Sequence, residues 1–181
     1  MLKKVISAGV LGGLVVIVWT FLVNGLFGFQ ARIDMKRIPG EREVYEMLKA
    51  HIVDPGRYSI NPGLTSDGRF PGGEPVFSVL YGGVGHEAAG RLMLLGLVVA
   101  FIASILGAWM LSQMSARILS SYPRKVLFFV GLGLLFAVFI DLTNFGIGSY
   151  PAKDALLLAL NHIIVWTLAG LAVAWRIKPA A

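Results

Sequence analysis

Four long apolar runs dominate the chain: Val5 to Phe27, Ala89 to Leu111, Lys125 to Ile147 and Lys153 to Trp175. At 1.5 Å of rise per residue, about 23 helical residues reach across a hydrocarbon core of about 30 Å, so each run predicts a membrane-spanning helix. The first follows Lys3 and Lys4, as the apolar part of a signal peptide would. Its run is too long for that role, and no small-x-small cleavage site stands between Asn24 and Ala31, so it reads as an uncleaved anchor.

Between the first two runs the pattern changes. Residues 41–52 place Val44, Met47 or Leu48, and Ile52 at helical spacing, with acidic residues in the first turn and Lys49 and His51 in the last. A short amphipathic helix follows from this, ended by Asp54, Pro55 and Gly56. Arg57 to Ile60 and Pro75 to Tyr81 then read as two strands of a hairpin, joined through Asn61-Pro62-Gly63 and Pro71-Gly72-Gly73. A lone two-stranded ribbon is marginal in water, so the hairpin is expected to lean on the helix tops or on a partner. The fold class expected is an all-α integral membrane protein, a four-transmembrane-helix bundle. A small α+β insertion, residues 28–88, separates its first two helices.

Composition agrees with lipid as the solvent. Of 181 residues, 56% are hydrophobic and only 14% charged, with a mean hydropathy of +0.75, which leaves too little polar surface to cover a globule in water. Charge then sets the orientation. Lys3, Lys4, Arg117, Arg124, Lys125, Arg176 and Lys178 flank the spans on one side, with no Asp or Glu among them. By the positive-inside rule that side is the cytoplasm, and both termini lie there. The segment from Gly28 to Arg91 carries eight basic and eight acidic residues and is electrically balanced. The formal net charge of +6 is therefore a sign of topology and gives no reason to expect nucleic acid as a partner. Cysteine is absent, so thiolate metal sites, disulfides and thiol nucleophiles are all excluded.

Most local motifs lose their meaning in this setting. Gly83-Val84-Gly85-His86-Glu87-Ala88 matches the dinucleotide fingerprint by letter, but the helix that follows is a membrane span and no βαβ unit surrounds it. His86 and Glu87 lack the second histidine of a zinc-binding helix, and Glu87 is better placed to pair with Arg91 one turn on. His51 suits the negative end of its own helix. Haem held by two histidines would need two of them at one depth, and only His162 lies within a span. No cofactor, metal or catalytic residue is expected.

Inside the spans the polar pattern is richer. Small residues form stripes: Gly9 and Gly13; Gly96, Ala100, Ser104 and Ala108; Gly133 and Ala137; Ala155, Ala159 and Ala169. Such faces let helices approach closely, within one chain or against a partner membrane protein or a second copy. Phe27, Phe29, Trp109, Tyr122 and Trp175 sit where a bilayer's aromatic belts would lie. An intramembrane polar cluster is expected from Asp141, Asn144, Asn161 and His162. Asp141 stands ten residues before Pro151 and His162 eleven after it, so a helical hairpin turning at Pro151 brings both to one depth, about 15 Å from the outer surface. An ionised Asp at that depth costs about 2.5–3.5 kcal/mol on insertion scales, a reason to find a partner.

Trp19 in the anchor, the step Gly56-Arg57-Tyr58 in the outer segment and the turn Tyr150-Pro151 between the last two spans give the chain a further likeness. It resembles a group of small four-helix bacterial inner-membrane proteins, a likeness that runs its whole length. The resemblance implies the multi-pass topology and brings no biochemical activity with it. On the sequence, the favoured role is a non-catalytic accessory or assembly subunit of a larger membrane complex. The alternative is a carrier of protons or small molecules, or a membrane enzyme, that uses the Asp141 and His162 cluster from the outer face.

Overall fold

Long unbroken apolar sequence satisfies its backbone most simply as helix, and the computed structural model of the chain is mostly helical. It describes residues 2–34, 36–83, 89–146 and 150–179. Helix α1 (Leu2–Thr20) runs on into a π-helical turn, Phe21–Leu26. Then come α2 (Phe29–Asp34), α3 (Glu41–His51), the strands β1 (Gly56–Ile60) and β2 (Phe77–Tyr81), α4 (Ala89–Ser112) and α5 (Ala116–Leu119). Helix α6 (Tyr122–Phe136) continues through a second π-helical turn, Ala137–Leu142, into α7 (Thr143–Gly146), and α8 (Ala152–Arg176) closes the fold. Four stretches are long and apolar enough to cross a membrane: Leu2–Leu26, Met93–Ser112, Tyr122–Phe145 and Ala152–Arg176. Only 22% to 33% of each is buried within the chain, and residues such as Leu94, Val98 and Ile102 point outward as apolar surface that lipid can cover.

The chain divides into two compact units, residues 37–91 and the remainder. In the smaller unit β1 and β2 pair antiparallel, Gly56 opposite Tyr81 and Ile60 opposite Phe77. The Arg57 Nε–H donates to Ser78 Oγ across the pair at 3.0 Å. Helix α3 buries none of its side chains, although Val44 and Leu48, with Ile52 just past its end, are half-buried. A helix of this length is marginal alone. A peptide of residues 39–53 is therefore expected to be largely unstructured in water by circular dichroism, and strong helicity would show that local propensity suffices.

In the larger unit, glycine sets how closely the helices pack. A Cβ on Gly9 would overlap the backbone of Ile105, and one on Gly13 would meet the Phe101 ring, so this pair of glycines seats α1 on α4. Gly12 faces Val173 of α8, Gly133 lies against the backbone of α8 at His162 and Ile163, and Gly170 receives Phe129 of α6. Gly96 and Gly131 face open space among the described residues, so Gly96 of the second small-residue stripe has no packing role there.

Along α6 and its π-helical extension every fourth residue is buried: Lys125, Phe129, Gly133, Ala137 and Asp141. In an uninterrupted α-helix the eight steps from Gly133 to Asp141 would leave a net rotation of roughly 80°. The wider π turn, closed one residue later, takes most of that rotation back and returns Asp141 to the face that meets α8. At the other end of α6 the ammonium of Lys125 donates to the carbonyl of Ile177 at 2.6 Å, a cation at the negative terminus of α8. The Tyr122 hydroxyl donates to the Leu171 carbonyl at 3.0 Å, a second tie between α6 and α8.

Candidate functional site

Consecutive residues on a helix point about 100° apart. Helix α8 lies against both α1 and α6, so the neighbours Asn161 and His162 reach different partners. Asn161 accepts a hydrogen bond from the indole N–H of Trp19 on α1 at 2.9 Å. His162 Nδ1 lies 2.7 Å from Asp141 Oδ2 on the π turn after α6. With the carboxylate ionised, the Nδ1–H donates to it, and the other ring nitrogen is left to accept or take up a proton. The carboxylate side chain is only 2% exposed and the imidazole 32%, so Asp141 sits behind His162 and the ring presents the pair. Beneath the ring, Phe136 stacks on Trp166, with centroids 5.3 Å apart.

The pair opens on a cavity of about 440 Å³ within the larger unit. Its walls come from all four long helices and from α2. Thr20, Asn24 and Gln30 line it at the end of the bundle where the first span finishes, together with Asn144. Ser104 and Trp166 line the deeper part. Gly28, at φ +59°, provides the left-handed step that turns the chain out of the first span, so that Phe29 and Gln30 of α2 form part of the wall. The backbone N–H of Gln30 donates to Asn24 Oδ1 at 3.3 Å. Lys36, just beyond α2, is paired with Asp154 in the first turn of α8.

All four residues expected in the polar cluster line this cavity. The structure joins Asp141 to His162, sends Asn161 to Trp19, and leaves the Asn144 side chain with no hydrogen bond among the described residues. Asp154 pairs with Lys36, 118 positions away. The segment with His86 and Glu87 lies outside the described residues. Thr20, Asn24, Gln30 and the inward role of Ser104 escaped the sequence reading. Thr20 and Asn24 are spaced four apart, two polar residues on one face of an apolar helix, a signal that could have revealed both.

Ser104 is the one described residue whose side chain is fully buried and unpaired: its hydroxyl has no hydrogen-bond partner. As metal ligands the site offers one carboxylate and one imidazole, and no third His, Cys, Asp or Glu joins them among the described residues. Comparison with known proteins finds no matching family model, no matching curated protein and no matching solved structure.

The Trp19 to Asn161 bond has a measurable consequence. Trp19→Phe keeps most of the ring and removes the N–H, and it should lower stability by about 1 kcal/mol. Trp175→Phe, at a side chain 66% exposed, should leave stability unchanged. Thermal unfolding in detergent checks both; equal effects would mean that the bond contributes nothing.

Proposed function

We propose that this chain is a multi-pass protein of a bacterial inner membrane that takes a small polar molecule, or a proton, from the outer face into the cavity around Asp141 and His162. In this reading both termini are cytoplasmic, residues 28–88 are extracytoplasmic, and the protein works as a carrier or a membrane enzyme. The observation that carries it is the cavity itself, built by four helices around a buried carboxylate and imidazole pair. A pair serving only to clamp α6 to α8 needs no space beside it, and unfilled space in a bundle forfeits packing contacts. Polar groups at membrane depth characteristically face the bundle interior or a water-filled space and mark ligand or proton paths. Seven basic residues with no acid among them, Lys3, Lys4, Arg117, Arg124, Lys125, Arg176 and Lys178, flank the end opposite Asn24 and Gln30, which supports reading this mouth as the outer one.

Because the chain has no cysteine, single cysteines test this directly. An impermeant thiol reagent added to intact cells should label Ser66→Cys and Asn24→Cys and spare Ser115→Cys. Labelling of Ser115→Cys with Ser66→Cys spared would invert the orientation and close the proposed entrance.

A second reading, the accessory subunit, has its own support. The 37–91 unit exposes Val53, Phe77 and Leu80, with Val53 and Leu80 each 78% exposed, and Gly96 and Gly131 present open small-residue faces. Such surfaces suit a membrane partner. Extraction in mild detergent followed by native mass measurement distinguishes the readings, since a stoichiometric heteromeric complex supports the second.

A further inference from the structure

Resting on the reading that this cavity opens to the outer face, we infer that α2 is a gate at its mouth, hinged at Gly28 and latched by the ion pair of Lys36 with Asp154. The hinge shows in the backbone. Gly28 stands at φ +59°, and a Cβ added there would meet nothing within 4 Å, so the glycine serves its left-handed turn and not a need for space. From that turn α2 begins, the Arg32 N–H donating to the Gly28 carbonyl at 3.1 Å. Its first two residues, Phe29 and Gln30, are cavity wall.

The far end of this strap is fastened to another helix. Lys36 reaches Asp154 in the first turn of α8, one turn before Leu158, which lines the cavity along with Asn161 and His162. The strap thus runs from the end of the first span to the start of the last, at the rim of the cavity. Little else holds it there. A helix of six residues does not stand alone, and among the side chains of α2 Ile33 is buried, Phe29 half-buried, and Gln30, Ala31 and Arg32 exposed. The bond from the Gln30 N–H to Asn24 is long, at 3.3 Å.

The ion pair is built to release. Lys36 is 56% exposed, so water takes up its ammonium once the contact parts. Asp154 is 12% exposed, but the positive end of α8 favours a carboxylate in that turn with or without Lys36. Opening strands neither charge, in contrast to Asp141 behind its histidine. The 37–91 unit begins at the residue after Lys36, so a load on that unit acts on the latch through the chain itself.

The test measures how fast a small impermeant methanethiosulfonate, added outside intact cells, labels Ala100→Cys on the cavity wall. Lys36→Gln should raise that rate roughly 1.5- to 5-fold, the range that an exposed ion pair supports. Asp154→Asn should raise it by a similar factor, the double variant no further, and Lys36→Arg should restore the parent rate. Higher ionic strength should speed labelling of the parent and leave Lys36→Gln unchanged. Ser66→Cys, exposed on the 37–91 unit, should be labelled at one rate in every background, which separates gating from a general change in reagent access. Labelling of Ala100→Cys at one rate in the parent and both single variants, or a rate in Lys36→Arg as high as in Lys36→Gln, would overturn the latch and leave the cavity reading standing. Labelling of Ala100→Cys in none of these proteins would remove the two together.

Discussion

Removing His162 should destabilise the protein well beyond what removing Asp141 does, although the two side chains share one contact. The asymmetry follows from burial. His162→Ala leaves a carboxylate that is 2% exposed without its donor, and stranding such a group costs about 2–3 kcal/mol. Asp141→Ala leaves an imidazole that is 32% exposed to a cavity in which water can replace the lost partner, so about 1 kcal/mol is expected. The double variant should then be more stable than His162→Ala alone, because the stranded group is gone. Equilibrium unfolding of the four proteins in mixed micelles measures the cycle. Simple addition of the two losses would mean that the contact carries no energy.

The second large effect concerns how α6 approaches α8. At Gly133 a Cβ would stand 2.9 Å from the Ile163 Cα and 3.2 Å from the His162 carbonyl oxygen, both backbone atoms that cannot swing aside. Gly133→Leu should therefore push the helices apart beside the site, costing about 1–3 kcal/mol and opening the Asp141 to His162 contact. Gly131→Leu, two residues earlier and facing open space, should change stability by less than about 0.5 kcal/mol. The pair separates a packing effect from a helix-propensity effect, because both replace a glycine with leucine in the same helix. Comparable losses at the two positions would contradict close packing at Gly133.

What the sequence made legible is what lipid dictates. Apolar runs of fixed length locate the helices, and counting outward from Pro151 puts Asp141 and His162 at one depth, where the structure has them 2.7 Å apart. Less visible was how Asp141 comes to face α8, because an α-helical stripe of period four drifts around the helix. The π turn over Ala137–Leu142 corrects the drift, and an inserted turn of that kind leaves no periodicity to read. Long-range pairs were hidden for another reason. Trp19 with Asn161 and Lys36 with Asp154 depend on which helices become neighbours, and hydropathy carries no such information. Ser104 read as a small residue for packing, which its position in an alanine and glycine stripe suggests.

Whether that cavity admits water and solutes from the outer face is decided most directly on two adjacent residues of α4. Ala100 lines the cavity and Val99 is 53% exposed on the outward side of the same helix, so the two share a depth and differ in facing. Each is changed to cysteine in the otherwise cysteine-free chain and treated with a small impermeant methanethiosulfonate outside intact cells. Labelling of Ala100→Cys, with Val99→Cys protected by lipid, is the result a solvent-filled cavity predicts. Labelling of Val99→Cys with Ala100→Cys protected would mean that the bundle is closed to the outer face, leaving Asp141 and His162 as a clamp between two helices.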